Sequence, residues 1–337
     1  MVYTFGLDKH ANIRYRDSVN RLSRYELLSM LHSLSIDCEI VQESMGGADF
    51  LSFECRPLSG AEVSFLSGHS SVAFMAEKNG DALLPLPVVC RNYLEEDLPE
   101  ILKYKGKTSA PFIRLMINMA LSLTSFPPED HPLTVLDPLC GKGTVCFCAL
   151  QAGMNAVGLD QDRKAVREAS DFFSRYLKVH LLKHTVRTLS ETAGKTALPV
   201  TEFVFSDSKE HFQQKDTRFL RLASGDTADA FALCRHHPAH LLVADLPYGI
   251  QHAPSFGSKP ESFVSLLRRA LPRWKKALLP GGVMALSFNT LTLPARQVFD
   301  AARDAGLSPC EEDRFMHLRH EVEQAVVRDV VFLKNNP

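Results

Sequence analysis

Asp245-Leu246-Pro247-Tyr248-Gly249 places an acidic side chain, a stiffened backbone with free carbonyls and an aromatic ring at consecutive positions. It follows a short apolar run, His240-Leu241-Leu242-Val243-Ala244, that reads as a buried strand. The motif therefore sits at a strand exit. There it can hold a flat ring bearing an exocyclic amino group. Asp245 accepts one N–H, and the Leu246 or Pro247 carbonyl accepts the other. Such an amino lone pair is delocalised into its ring and nucleophilic only when localised by these bonds. Tyr248 supplies a surface on which a base can stack, worth roughly 1–3 kcal/mol. Asp245 is also placed to take a released proton. In isolation the same five residues would be only a turn, so the rest of the chain has to decide.

A second loop, Asp137-Pro138-Leu139-Cys140-Gly141-Lys142-Gly143-Thr144, lies at the end of another apolar run. Gly141 and Gly143 let the backbone turn tightly and approach a ligand. The loop lacks the full dinucleotide glycine fingerprint. Gly106-Lys107-Thr108 and Gly194-Lys195-Thr196 are not Walker A loops, because Ile101 and Leu189 stand where the first glycine belongs. A nucleoside without phosphates fits this loop better than NAD or ATP. Asp160, after the next apolar run, can accept both hydroxyls of a ribose. Asp226, after the one following, can accept from an adenine amino group.

Strands and helices alternate from Leu133 onward and position these residues. The strands are expected at Leu133–Leu136, Asn155–Leu159, Phe219–Leu222, His240–Ala244, Val283–Phe288 and Val326–Leu333. Helices are expected from the glycine loop to Ala152, from Asp162, over Glu261–Leu279 and over Ala295–Ala305. Pro111 suits a first helical turn, and Phe126-Pro127-Pro128 ends that helix. Pro280-Gly281-Gly282 reads as a turn. This spacing implies an α/β fold with a doubly wound, mainly parallel sheet. Ligands of such sheets sit beyond the carboxyl ends of the strands, where Asp137, Asp160, Asp226 and Asp245 all fall. The stretch from Phe172 to Asp216 is expected to be a solvated helix followed by a mobile loop, with Lys183, His184 and Arg187 as candidate substrate contacts. Residues 1–105 are read as a small α+β accessory domain and a candidate for RNA binding, with a helix over Arg21–Leu34, a strand over Asp49–Cys55 and a helix over Gly60–Lys78. Residues 106–337 are read as one α/β domain that carries all the candidate site residues.

The pattern resembles the class I S-adenosylmethionine-dependent methyltransferases. Their amino-methylating branch carries Asp/Asn-Pro-Pro-Tyr/Phe after the fourth strand. Asp245-Leu246-Pro247-Tyr248-Gly249 with the Asp137–Thr144 loop looks like the RNA methylase family that includes the tRNA guanine-N2 methyltransferases. The resemblance covers roughly residues 105–335 and implies a seven-stranded Rossmann-like sheet. It implies S-adenosylmethionine as cofactor, held by Asp137, Pro138, Cys140, Gly141, Gly143, Thr144, Asp160, Gln161, Asp226 and Thr227. It implies Asp245, Leu246, Pro247 and Tyr248 as the catalytic set, and RNA, tRNA above all, as partner. Lys107-Thr108-Ser109-Ala110-Pro111-Phe112 matches the place where the family sets a helix against the methionine end of the cofactor. Family members often carry an N-terminal THUMP domain, whose pattern residues 1–105 do not present. Two alternatives stand beside guanine N2: a DNA adenine-N6 or cytosine-N4 methyltransferase, and a catalytically silent cofactor-binding module that interacts with RNA.

The bulk properties narrow the field. The 337 residues carry a net charge of -1, so no global basic field draws nucleic acid. Residues 1–110 hold 11 Lys and Arg against 15 Asp and Glu, and residues 111–337 hold 27 against 24. Phosphates would be held by local clusters, namely Lys103, Lys105 and Lys107, or Arg268, Arg269, Arg273, Lys275 and Lys276. The eight cysteines form no C-x-x-C pair, which points to reduced, buried thiols. Cys234 with His236 and His237, and His317 with His320 and Glu321, lack structural-zinc spacing, so no metal is expected. No apolar run approaches the roughly 18 residues of a membrane span, and no signal pattern opens the chain, so a cytoplasmic protein is expected.

Overall fold

The computed structural model describes residues 1–8, 13–87, 92–104, 106–126, 132–248, 255–256, 259–323 and 325–336. Lys105, Pro127, Pro128 and Gly249, named above, lie outside the described residues.

The chain opens on a small antiparallel sheet. Its strands are β1 (Val2–Leu7), β2 (Ile40–Met45), β3 (Ala48–Glu54), β4 (Val72–Asn79) and β5 (Ala82–Pro85), in the order β2-β3-β1-β4-β5. Alternation turns Tyr3, Phe5 and Leu7 of β1 to one face. There they join Leu27, Met30 and Leu31 of helix α1 (Ile13–Ser33) in a common core. The single helix expected over Gly60–Lys78 is instead a short helix and a strand. Helix α2 (Gly60–Leu66) starts on a Ser59–Glu62 capping box and stops before Ser67-Gly68-His69-Ser70-Ser71. Val72 onward then finds a better partner in β1, with Phe5 opposite Met75 and Thr4 opposite Ala76.

The second unit is a ten-stranded sheet between two helical layers. Helices α3 (Leu98–Ile101) and α4 (Ala110–Leu121) precede it. Then come β6 (Thr134–Asp137), α5 (Thr144–Gln151), β7 (Asn155–Asp160), α6 (Arg163–Val179), β8 (His184–Ala193), β9 (Thr196–Phe205), α7 (Lys209–Gln213), β10 (Arg218–Ser224), α8 (Ala230–Leu233) and β11 (Ala239–Asp245). A small pair, β12 (Ser255–Phe256) and β13 (Lys259–Pro260), leads into α9 (Phe263–Ala277), β14 (Leu278–Asn289) and α10 (Ala295–Asp304). The chain closes with β15 (Ser308–Pro309), β16 (His320–Glu323) and β17 (Val326–Lys334). The order is β15-β17-β14-β11-β6-β7-β10-β9-β8, with β16 also on β17. The five central strands, β10, β7, β6, β11 and β14, run parallel, and the outer pairs are antiparallel. Both faces of these strands are covered, as parallel sheets require. Val135, Leu241 and Val243 join the layer of α4, α5 and α6, while Leu136, Leu242 and Ala244 join that of α8, α9 and α10.

The fold class is thus the expected α/β one, with ten strands in place of seven. Two of the additions replace the loop expected before Asp216. After α6 the chain forms a hairpin of two ten-residue strands, β8 and β9, turning at Gly194 with φ +61°. The hairpin holds charge inside the sheet. Arg221 of β10 is 2% exposed, donates to the Leu233 carbonyl at 2.7 Å and pairs with Glu191 at 2.5 Å and Glu202 at 3.3 Å. The Pro280-Gly281-Gly282 turn is a bulge in β14: Ala239 pairs with Leu278 but Leu241 with Val283. Removing one partner of a buried ion network leaves uncompensated charge, typically costing 3–5 kcal/mol. Arg221→Ala is expected to lower the unfolding free energy by about 3–5 kcal/mol in urea titration. A change below about 1 kcal/mol would mean that the hairpin is held by its ladder alone.

Candidate functional site

The chain runs outward from β6 through β7 to β10, then returns to β11 on the other side of β6. The crevice at the carboxyl ends of β6 and β11 is therefore the point where strand order reverses, the usual ligand position in such a sheet. Asp137 ends β6, Asp160 ends β7 and Asp245 ends β11, while Asp226 follows β10. The four expected acids are brought to one edge.

Three of them fold back on their own backbone. Asp137 accepts the Leu139 amide at 3.1 Å, Asp160 the Asp162 amide at 2.8 Å, and Asp226 the Ala228 amide at 2.9 Å. Each is an Asx turn, in which a carboxylate takes the N–H two residues on. For Asp245 that residue is Pro247, which has no N–H. Its oxygens turn instead to side chains. Oδ1 accepts from the Tyr248 hydroxyl at 2.5 Å and from the Ser287 hydroxyl, and Oδ2 from the Thr108 hydroxyl. Arg328 stands 3.8 Å from Oδ2. Leu246 is buried and gives its amide to the Ser287 carbonyl at 2.9 Å, which pins β11 to β14 at the exit.

The glycine loop is built by the same acids. Asp160 Oδ2 accepts the Gly141 amide at 2.8 Å, and Cys140 donates its amide to the Leu159 carbonyl at 3.0 Å. Gly141 has φ +49°, and a Cβ there would meet nothing within 4 Å, so its face is open to a ligand. Gly143, at φ +88°, begins α5, and a Cβ there would meet the Phe147 ring at 3.2 Å. Thr144 pairs with the Tyr104 hydroxyl at 2.8 Å. Pro138 offers its carbonyl to Thr227 at 2.8 Å, and Trp274 donates to the Thr227 carbonyl at 3.1 Å. Gln161 is exposed beside Asp160. Burial pushes the Asp137 carboxyl well above its ordinary value, with Asp160 and Asp245 adding to the effect. Burial also lifts the Cys140 thiol far up, which suits a packed thiol and not a nucleophile.

Several expected residues are engaged elsewhere. Asp226 is held by Arg269, which also grips Glu261 at 3.0 Å. Arg269 therefore leaves the proposed basic face of α9, and Lys275 turns to the Gly306 carbonyl at 2.7 Å. Lys107 donates to the Pro99 carbonyl at 2.5 Å and pairs with Glu100 at 3.3 Å, whereas Lys103 is exposed. Arg187 pairs with Glu202 at 2.6 Å and His184 with the Leu182 carbonyl at 2.7 Å. Tyr248 keeps its hydroxyl inside, since it also accepts from Arg328 Nε at 2.6 Å. Burial raises its phenol pKa strongly, with Asp245 adding to the rise. Reading the sequence missed Tyr104, Ser287 and Arg328, and gave Thr108 no role at Asp245. They lie far from the motif in sequence, with no local spacing to reveal them.

No family model matches the chain, and no curated protein matches it in sequence. Solved structures do resemble it. One is a TehB-like SAM-dependent methyltransferase from Corynebacterium glutamicum, at 15% identity over 61% of this chain and 82% of that one, with a TM-score of 0.35. TrmN from Thermus thermophilus shares 15% identity over 88% of this chain, with a TM-score of 0.40. A T. thermophilus 16S rRNA N2 methyltransferase (RsmC), in complex with AdoMet and guanosine, shares 14% over 89%, also at 0.40. The chain spans 60% and 58% of those last two. Among the described residues no helix is long and apolar enough to cross a membrane, and no cluster of His, Cys, Asp and Glu could hold a metal ion.

His320 borders the site, 5.2 Å from the Phe112 ring centroid, and gives its Nδ1 proton to the Leu318 carbonyl at 2.7 Å. Burial pushes the imidazole down from 6.5 to about 4, and Arg328 adds to the effect. The folded state thus holds His320 neutral where the unfolded chain protonates it. The resulting stability is present above pH 6.5 and lost as pH falls toward about 4. It is on the order of 3 kcal/mol. Unfolding free energies measured across that window should show this loss in the wild type and not in His320→Leu. Identical slopes in the two proteins would place the acid sensitivity elsewhere.

Proposed function

We propose that this protein transfers a methyl group from S-adenosylmethionine to an exocyclic amino group of a nucleobase in RNA, with guanine N2 in tRNA as the target. The observation that carries the reading is the state of Asp245. It is the strand-end acid that Pro247 deprives of an Asx turn, and it faces hydroxyl groups that a ligand N–H can replace. The open face of Gly141 and the position of Asp160 fit a nucleoside cofactor on the neighbouring strands. Asp137, Pro138, Cys140, Gly141, Gly143 and Thr144 would hold it from below, Asp160 and Gln161 at the ribose, and Asp226 and Thr227 at the base. When bound, S-adenosylmethionine supplies an electrophilic methyl group.

Asp245 accepts one N–H of the amino group, and the Leu246 or Pro247 carbonyl accepts the other. These bonds localise the lone pair and fix its direction. Alignment of this kind is worth up to about 7–11 kcal/mol of barrier. Because Tyr248 and Ser287 share Oδ1, the arriving N–H takes the place of Thr108 at Oδ2. Asp245 then takes the proton, directly or through water. A base in structured RNA has to leave its stack to reach this crevice. Guanine over other amino bases rests on the Asp-Leu-Pro-Tyr-Gly resemblance. Residues 1–105 serve as an accessory unit.

The test is methyl transfer from labelled cofactor to tRNA, DNA and protein, followed by nucleoside mass spectrometry. N2-methylguanosine in tRNA is expected, and Asp245→Ala should lower kcat/KM by about a thousandfold. Transfer to DNA alone would favour the adenine-N6 or cytosine-N4 reading. Absence of transfer to every substrate, with cofactor binding intact, would leave a silent binding module.

A further inference from the structure

Arg328 is a buried cation that the reaction scheme above does not use. It lies on β17, five strands across the sheet from β10, and is 5% exposed. Its guanidinium is layered between two rings, 4.5 Å from the Phe112 centroid and 5.3 Å from that of Tyr248. Its Nε donates to the Tyr248 hydroxyl at 2.6 Å, and that hydroxyl donates to Asp245 Oδ1 at 2.5 Å. A second nitrogen of the same guanidinium stands 3.8 Å from Asp245 Oδ2. One side chain therefore touches the first and the fourth residue of the Asp245–Tyr248 motif at once.

We infer that Arg328 is a positioning residue for amino-group methylation, an inference that rests on the reading just given. Tyr248 lies just beyond β11, and a phenol ring has several rotamers available. Arg328 selects one. The Nε bond directs the hydroxyl inward, and the flat guanidinium covers one face of the ring. A base would stack on the opposite face. The same contact sets the Asp245 carboxylate at a fixed angle to that ring, so the amino group and the plane of its base are registered together.

A lysine cannot reproduce this arrangement. It would have to lie between two rings and give a directional bond with a compact, strongly hydrated ammonium. Misplacing a reacting group by about 1 Å can cost a hundredfold in rate. Arg328→Lys and Arg328→Ala are therefore expected to lower kcat about a hundredfold. The KM for RNA and the Kd for S-adenosylmethionine should change less than about threefold. Added ethylguanidine should restore part of the activity of Arg328→Ala and none of that of Arg328→Lys. A role in folding alone predicts otherwise: kcat per cofactor-binding molecule would stay within about twofold of wild type, and ethylguanidine would do nothing. That outcome overturns the proposal.

A second measurement does not depend on turnover. Ultraviolet resonance Raman reports the hydrogen bonds of a tyrosine hydroxyl, and the difference from Tyr248→Phe isolates this one. The Tyr248 signal should move in Arg328→Ala. If it does not, the clamp is absent and the inference fails. Failure of the methyltransferase reading would show in the wild-type protein, as absence of transfer to any substrate, whatever the Raman result.

Discussion

The hydrogen-bonded surroundings of the Asp245 carboxylate are the constraint on which the rest of this site depends. A carboxylate this enclosed is costly unless charged or polar partners replace its water. Those partners come from Thr108 ahead of α4, Tyr248 beyond β11, Ser287 on β14 and Arg328 on β17. They span 220 residues of chain and meet only when β11, β14 and β17 are in register. That register places Asp245 beside Ser287, and Ser287 beside Val330. The arrangement is thus a property of the assembled sheet edge and not of the five-residue motif.

Proline at position 247 gives the motif its meaning. Asp137, Asp160 and Asp226 stand at equivalent strand ends, and each is consumed in part by the amide two residues on. Those acids shape loops. Asp245 cannot do so, because Pro247 carries no N–H, and its oxygens bond side-chain hydroxyls instead. A similar division holds between the two glycines of the loop after β6. Gly143, at φ +88°, packs under the Phe147 ring, whereas Gly141 borders open space.

Much of this was legible from the residues in order, and the omissions have physical causes. Three strands of the central sheet, β6, β7 and β11, are short apolar runs ending in an acid, and β10 has one two residues on, a local pattern that survives without knowledge of the fold. Glycine loop, Asp160, Asp226 and Asp245 could therefore be placed in advance at the correct edge. The β8–β9 hairpin was hidden because β8 is an edge strand with most of its side chains in solvent, so no apolar stripe marks it. Its inward charges, Glu191 and Glu202, read as solvated until Arg221 is seen beneath them. β4 was mistaken for helix because Val72, Met75 and Ala76 also fit a helical spacing. The positions of Asp226 and Tyr248 beyond their strands were legible but their partners were not, since Arg269 and Arg328 approach them through space alone.

The small N-terminal sheet bears on the same edge through helix α1. Glu26 of α1 is fully buried and accepts the Asn118 amide of α4 at 2.7 Å and the Ser70 amide at 2.8 Å. Tyr25 stacks on His317 with ring centroids 5.6 Å apart, and Arg21 donates to the Arg319 carbonyl. Thus α1 grips α4, whose first turns carry Phe112 just after Thr108, and also the segment that leads through β16 into β17. Those are the elements that deliver Thr108, Phe112 and Arg328. A buried carboxylate such as Glu26 cannot be left without its partners at low cost. The bonds that satisfy it therefore also hold α1 against α4, the helix that follows Thr108 and carries Phe112, and the surroundings of Asp245 lean on a unit that contributes no residue to them.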